Sequence, residues 1–193
     1  MENRKRMKLT EGGISRRTLL KAGLVAGLGL TLPARALASL ATPHPPEKIL
    51  SLYNIHTGES IRRAVYRVEG SLVPETVQEL NYLLRDFRTD EVVDIEPELF
   101  DLLYTLRQKL GSQEAFHVIS GYRSPATNAL LARTTSGVAS HSLHMDGKAI
   151  DIRLPGVALD DVRRTARALK RGGVGYYPDS NFVHVDTGRV RFW

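Results

Sequence analysis

The chain contains no cysteine among its 193 residues, so disulfide bonds and thiolate metal ligands are excluded. It also lacks a long hydrophobic run. The most apolar stretch, residues 22–32, is about half the ~20 residues that a membrane-spanning helix needs. No internal repeat is visible, and the one biased tract is a short proline-rich segment at residues 42–46. These absences favour a single globular domain.

An excess of charge is also missing once the N-terminal segment is set aside. Residues 1–38 hold eight of the 27 Lys and Arg residues but only two of the 21 Asp and Glu residues. The remaining chain therefore carries 19 residues of each sign. A nucleic-acid-binding domain needs a basic face of its own, and the sequence predicts no nucleic-acid partner.

The N-terminal segment has the three parts of an export signal. Basic residues lead up to Arg16 and Arg17, the apolar run follows, and Ala36 and Ala38 supply the small residues of a cleavage site. Paired arginines in this position are typical of the twin-arginine pathway. We expect residues 1–38 to be a twin-arginine signal peptide for export to the periplasm, with no stable membrane insertion after cleavage. The alternative is an uncleaved membrane anchor.

Residues 39–47 are too rich in proline for regular structure, and they are predicted to form a linker. Residues 48–193 remain for the folded domain. This length is usual for one domain with one hydrophobic core.

Apolar periodicity predicts the elements of this domain. Hairpins are expected at residues 49–55 with 60–68 and at residues 174–177 with 182–186, and further strands at residues 116–120 and 149–154. Helices are expected from Pro74 to Phe87, from Pro97 to Gly111, from Ser124 to Leu131, and over residues 159–171 with a stop at Gly172 and Gly173. The mixture indicates an α+β fold, a single small domain with a largely antiparallel sheet and flanking helices.

Two histidines and an aspartate have the pattern of a catalytic metal site. A turn at Gly147 would bring Asp151, at the start of a buried strand, beside His144. His184 lies on a second buried strand. Two His and one carboxylate leave a coordination position of Zn²⁺ open for water, as in hydrolytic sites. The sequence therefore predicts a zinc hydrolase, although His144 and Asp151 could instead be a buried structural pair.

Asp186 is the candidate general base. Strand alternation places it on the same face as His184, where its carboxylate could accept a proton from the attacking water. The alternative role for Asp186 is to orient Arg189 or the C-terminal turn. Other candidates for the base are Asp146, Asp179 and His141.

Arg123 is the second candidate catalytic residue. It lies between a predicted strand and a predicted helix, where a long cation can reach over a neighbouring cleft. It could bind a substrate carboxylate or stabilise the oxyanion formed when water attacks an amide. The alternative is a surface residue that supports the turn.

These motif residues resemble those of a known superfamily. Ser142, His144, Gly147, Ala149 and Asp151, with the distant His184, resemble the zinc D-alanyl-D-alanine carboxypeptidases and murein endopeptidases, the LAS peptidases. Within it, residues 120–124, 172–178 and 182–188 look like the periplasmic MepK type. The likeness runs from about Ile49 to Trp193, which is essentially the whole predicted domain.

The resemblance implies an LAS-type fold and a zinc ion held by His144, Asp151 and His184. It implies hydrolysis of peptide cross-links in peptidoglycan, particularly those joining two diaminopimelate residues, with Arg123 in substrate or oxyanion binding. Many superfamily members carry a Glu three residues, or a His two residues, before the last ligand as general base. Here those positions hold Asn181 and Phe182, so the motif assigns no base.

Two other functions remain open at this point. The protein could be a D,D- or L,D-carboxypeptidase that trims stem peptides. It could also be a noncatalytic zinc-containing module that binds peptidoglycan. The oligomeric state is open, and a monomer is the expectation.

Overall fold

The structure is a computed structural model, and it describes residues 46–134 and 139–193. The predicted signal peptide, residues 1–38, lies outside the described residues, as does most of the predicted linker. The first strand already begins at Glu47, the last residue assigned to that linker. No helix in the described part of the chain has the length and apolar character needed to cross a membrane.

Eight strands in the described residues form one sheet. They are β1 (Glu47–Asn54), β2 (Ser60–Val68), β3 (Ser71–Leu72), β4 (Phe116–Ser120), β5 (Ala149–Arg153), β6 (Gly173–Tyr177), β7 (Phe182–Asp186) and β8 (Arg191–Phe192). Their order is β3-β2-β1-β4-β5-β7-β6-β8. The pairs β1–β4 and β6–β8 are parallel, and the other five are antiparallel. The predicted sheet and both predicted hairpins are confirmed.

The described residues also form four α-helices, so the α+β class is confirmed. They are α1 (Pro74–Leu83), α2 (Pro97–Leu110), α3 (Pro125–Thr134) and α4 (Leu159–Leu169). α2 ends as predicted at Gly111, whose φ of 64° is left-handed. Ser124 caps α3 as predicted, because its hydroxyl accepts a hydrogen bond from the backbone N–H of Thr127.

Three predicted helix ends were wrong. α3 continues past its predicted end at Leu131 to Thr134, whose hydroxyl donates a hydrogen bond to the Leu130 carbonyl. α1 stops at Leu83, because the carbonyl of Leu84 accepts a hydrogen bond from Tyr122 N–H instead of continuing the helix. Phe87 stacks on the His56 ring, with centroids 3.9 Å apart. α4 ends at Leu169, since Lys170 takes the left-handed conformation with φ of 52°. The glycines at 172 and 173 lie beyond this end.

Alternation along the strands divides the sheet into two faces. Residues such as Leu52, Ile152 and Val183 are fully buried in a core shared with α1, α2 and α4. The residues between them point to the opposite face, which carries the chemistry. We call this opposite face, with Tyr53, His117, Asp151, Arg153 and His184, the site face.

Candidate metal centre

Three predicted ligands meet on the site face. Asp151 on β5 lies directly opposite His184 on β7, and His144 reaches them from a 3-10 turn, Leu143–Asp146. His144 Nε2 lies 3.3 Å from Asp151 Oδ1, and His184 Nδ1 lies 2.9 Å from the same oxygen. The two ring nitrogens are 3.2 Å apart. All three side chains are buried, so this group forms one compact cluster.

The turn that places His144 depends on Gly147. Ser142 caps the 3-10 turn by accepting a hydrogen bond from His144 N–H, and Gly147 ends it with φ of 67°. A Cβ atom at Gly147 would lie 2.6 Å from the carbonyl oxygen of Asp94. Glycine is therefore required both for the backbone angle and for the close approach. The predicted turn is confirmed.

An outer hydrogen bond places a proton on one ring nitrogen of each histidine. His144 Nδ1 lies 2.7 Å from the carbonyl oxygen of Gly121; because a carbonyl only accepts, Nδ1 carries the proton. His184 Nε2 lies 2.9 Å from Asp186 Oδ2, and an ionised carboxylate likewise only accepts. His184 Nδ1 lies 2.9 Å from the Asp151 carboxylate, so without a metal ion this nitrogen carries a proton as well, and a cation between the three side chains would take the place of that proton. The lone pairs of His144 Nε2 and His184 Nδ1 would then both be directed at the cation.

This arrangement fits a divalent metal ion. Zinc binds His nitrogen and carboxylate oxygen at about 2.0–2.2 Å, so two tetrahedral ligand atoms lie about 3.4 Å apart. The three separations in the cluster, 2.9, 3.2 and 3.3 Å, approach that value. Each histidine also has the outer hydrogen-bond acceptor typical of metal-bound imidazole. His144, Asp151 and His184 could therefore hold a metal ion and leave a position open.

Electrostatics in the cluster favour a bound cation. Burial alone would raise the pKa of Asp151, but the charges and hydrogen bonds of His144 and His184 hold it far below its usual range. Burial alone would lower the pKa of His184, but its hydrogen bonds with Asp151 and Asp186 raise it to about 9. The centre attracts positive charge strongly for a site that is almost fully buried.

Asp186 lies behind His184, on the side of the ring away from Asp151. Its side chain is fully buried, and its two oxygens accept five hydrogen bonds, one of them from His184 Nε2. The other four come from the backbone N–H groups of Gly173 and Gly188 and from both terminal nitrogens of Arg191. Burial works to raise the pKa of Asp186, but these hydrogen bonds hold it well below its usual range. Its lone pairs are thus taken up by these five donors.

Arg123 lies beside the cluster as predicted. Its backbone N–H donates to the His144 carbonyl, and its guanidinium Nη2 lies 3.6 Å from Asp151 Oδ2. Nη1 donates to the Asn128 side chain, while Nε is buried without a hydrogen-bond partner. Burial lowers the pKa of Arg123, and the charge of Asp151 opposes this. The guanidinium of Arg123 therefore has N–H groups left to donate to a bound molecule.

The other candidates for the base, His141, Asp146 and Asp179, are exposed. His141 is largely exposed, and its Nε2 lies 3.5 Å from Asp146 Oδ2, just after His144 in the chain. Asp179 is exposed in the turn between β6 and β7. His141 and Asp146 are thus closer along the chain to His144 than Asp179 is to His184.

Sequence patterns missed an aromatic group beside the centre. The Trp193 ring lies 5.3 Å from the His184 ring, and half of the Trp193 residue surface is exposed. Its Nε1 donates to Tyr177 Oη, and Tyr177 stacks on Phe182. Tyr177 and Phe182 follow the alternation that exposes His184 on the site face, which was the available signal. For Trp193 the sequence carried no such signal, because the parallel pairing of β8 with β6 brings it beside His184.

Comparisons with known proteins identify the family of this chain. A family model described as "Peptidoglycan L,D-endopeptidase MepK" matches residues 42–193. The Escherichia coli (strain K12) protein of that name is 45% identical over 179 residues, 93% of this chain and 97% of the relative. A "Probable peptidoglycan L,D-endopeptidase MepK" of Haemophilus influenzae is also 45% identical, over 92% of this chain and 94% of the relative.

A solved structure also matches part of the chain. It is the Serratia marcescens L-Ala D-Glu endopeptidase ChiX, with 25% identity and a TM-score of 0.32 over 40% of this chain and 62% of that chain. That overlap is too partial to bear on function. The match over residues 42–193 and the 45% identity confirm the family resemblance. The chain therefore belongs to the peptidoglycan L,D-endopeptidase MepK family of peptidases.

Proposed function

We propose that the protein is a zinc-dependent endopeptidase that hydrolyses L,D-peptide cross-links of peptidoglycan, including those between two diaminopimelate residues. The observation that carries this proposal is the triangle of ligand atoms from His144, Asp151 and His184. Outer hydrogen bonds keep a proton on His144 Nδ1 and on His184 Nε2, so the other ring nitrogen of each histidine, beside Asp151, is the one that would bind a metal ion. Family membership supports the substrate, since the relatives are named for that activity.

The chemistry requires an activated water and a stabilised oxyanion. When bound, zinc supplies a Lewis acid and lowers the pKa of water to about 7. Arg123 would hold Asp151 in place through its Nη2 and direct its remaining donors to the carbonyl or carboxylate of the substrate. The exposed Trp193 ring would form one wall of the cleft in which the peptide lies.

We propose that Asp186 is a positioning residue. Its role as proton acceptor stays an untested prediction, but its hydrogen bonds support orientation better than proton transfer. A carboxylate that accepts five hydrogen bonds keeps a low pKa and is a weak base. It would hold the His184 ring in the tautomer and orientation that a metal ion needs.

Cleavage of murein is tested by mass spectrometry of muropeptides released from purified sacculi. The expected result is loss of cross-linked dimers, with products that have new amino and carboxyl ends inside the former cross-link. A chelator should stop the reaction and added zinc should restore it. His184→Ala is the matched control, and it should leave the dimers intact.

The products separate the alternatives. A carboxypeptidase would shorten stem peptides by their last residue and leave the number of cross-links unchanged. A noncatalytic binding module would co-sediment with sacculi without changing any muropeptide. Either result with zinc-loaded protein would contradict the endopeptidase proposal.

We propose that the protein acts in the periplasm, because its proposed substrate lies there, and that residues 1–38 direct it by the twin-arginine route. Replacing Arg16 and Arg17 together with lysine should leave precursor in the cytoplasm, detected by fractionation and immunoblot. A matched Arg4→Lys/Arg6→Lys variant should be exported normally. Undiminished export of the first variant would exclude the twin-arginine route.

A further inference from the structure

A cavity of about 690 Å³ lies beside the N-terminal half of β1. It exists because β4 pairs with β1 only from Leu52 to Asn54, so the earlier part of β1 has no neighbour on that side. The C-terminal half of α2 and the loop leading into β4 also border the gap. We call it the arginine pocket, after the wall formed by Arg62, Arg63 and Arg107, together with Tyr53 and His117.

Arg107 brings a buried charge to this pocket. The residue is 6% exposed, and its Nη2 donates to the carbonyl of Ile49. Its Nε is buried without a hydrogen-bond partner. Within residues 46–134 and 139–193, no carboxylate lies within ion-pair distance of its guanidinium. A buried cation is costly without an anionic partner, so the pocket lacks the counter-charge that would complete it.

A bulge in β2 places two further arginines, both exposed, in the wall of the pocket. Leu50 faces Ala64 and Leu52 faces Ile61, so β2 contains an extra residue there. Arg63 has a φ of 55°, which is strained for a residue with a side chain, and such bulges are common next to binding sites. Its backbone N–H donates to Ser51 Oγ, which holds the bulge in place.

The acidic residues of the pocket do not neutralise these arginines. Glu47 and Glu114 belong to its wall, but neither forms an ion pair with Arg62, Arg63 or Arg107 in the part of the chain that the structure describes. Three arginines against two unpaired glutamates leave a positive excess. An anion is therefore the fitting occupant.

Tyr53 and His117 in the wall of the arginine pocket lie on the site face, as the metal centre does, whereas Arg107 reaches the pocket from α2 on the core face. In one row across the sheet, Tyr53 on β1 pairs with His117 on β4, and His117 pairs with Arg153 on β5. Asp151 lies two residues before Arg153 and points to the same face. From strand spacing and rise, the His117 and Asp151 backbones are about 8 Å apart. An extended peptide at the metal centre can reach the pocket within a few residues.

We propose that the arginine pocket binds a free carboxylate of the stem peptide, away from the bond that is cut. This inference rests on the proposed function for the identity of the peptide. Stem peptides that contain D-glutamate and diaminopimelate carry carboxylates at intervals of one or two residues, and guanidinium groups bind carboxylates in a two-point geometry. The tilted rings of Tyr53 and His117, 5.0 Å apart, supply an apolar wall for the peptide's methylene groups.

Binding can be measured without turnover. The probe is the tripeptide L-Ala-γ-D-Glu-meso-diaminopimelate, titrated into metal-free protein by NMR. We expect shifts at Arg63, Arg107 and His117, and at least tenfold weaker binding to Arg63→Asn, because asparagine tolerates the left-handed backbone without supplying the charge. Arg164→Gln, on the exposed surface of α4, is the matched control and should bind like the wild type.

A second variant, Arg107→Gln, should weaken binding to a similar extent. If Arg107→Gln does not fold, the result for Arg63→Asn decides the question. An amidated tripeptide without free carboxylates should bind poorly to the wild type. Equal affinity for both tripeptides, or unchanged affinity in folded Arg63→Asn, would overturn the proposal. Intact sacculi alongside tripeptide binding at the pocket would contradict the hydrolase function and leave the carboxylate site standing.

Discussion

At Asp186, alternation predicted the correct face of the strand, but it could not show which groups the carboxylate contacts. The pattern placed it near His184, and the two side chains are indeed hydrogen-bonded at 2.9 Å. Alternation cannot show which nitrogen of the ring faces the carboxylate. The Nε2 atom of His184 faces Asp186, so the imidazole ring stands between Asp186 and Asp151. That detail depends on side-chain rotation and on the donors from Gly173, Gly188 and Arg191.

The two roles for Asp186 predict different effects of Asp186→Asn. If it positions His184, zinc affinity should fall about 10- to 100-fold, while turnover at saturating zinc stays within a few-fold of the wild type. If it is the base, turnover should fall about 10²- to 10⁴-fold with zinc affinity unchanged. The measurements are a competitive chelator titration and kinetics on a cross-linked muropeptide. Thr57→Ala, at the distant β1–β2 turn, serves as the control.

For helices and strands, sequence patterns predicted those features that depend on residues close together in the chain. Both hairpins and the end of α2 at Gly111 were predictable, because turns and caps depend on adjacent residues. The end of α1 was not, since a hydrogen bond from Tyr122, far along the chain, competes for the Leu84 carbonyl. The sequence also gave no sign of the hydrogen bonds that join α2 to the sheet. Asp101 on α2 accepts these hydrogen bonds from residues on β1 and β2.

Asp101→Asn should destabilise the domain by about 1–3 kcal/mol at pH 7, because it removes charge-assisted hydrogen bonds in a half-buried place. Burial would raise the pKa of Asp101, but hydrogen bonds from Lys48 and Tyr66 hold it below its usual value. A lowered folded-state pKa gives stability that is present above pH ~4 and is lost as pH falls through the folded value.

Urea unfolding at several pH values, with a chelator present, measures this effect. The difference between wild type and Asp101→Asn should shrink as the pH falls below about 4. Asp160→Asn removes an exposed carboxylate on α4 and should change the unfolding free energy by less than about 1 kcal/mol. A difference for Asp101→Asn that is independent of pH would mean that its ionised form contributes nothing.

For the whole molecule, pairing between distant segments was the part that sequence could not supply. The parallel contact of β1 with β4 joins strands more than fifty residues apart, and no local pattern specifies it. Because this contact covers only Leu52 to Asn54 of β1, it leaves the gap that forms the arginine pocket. Sequence analysis therefore missed the pocket. The metal cluster was predictable for the opposite reason. Its residue types are rare at buried positions, so His144 beside a glycine turn, and Asp151 and His184 in apolar strands, stood out before their proximity was known.

Metal binding should raise the stability of the whole domain, because the three ligands converge only in the folded state. Zinc at 100 times its Kd should add about 2.7 kcal/mol, which corresponds to roughly 5–10 °C in Tm for a domain of this size. Differential scanning calorimetry with and without zinc measures the shift, and a chelator should reverse it. His144→Ala and His184→Ala should lose it, whereas Arg164→Gln should keep it. A shift of equal size in the ligand variants would place the bound metal elsewhere and contradict the assigned centre.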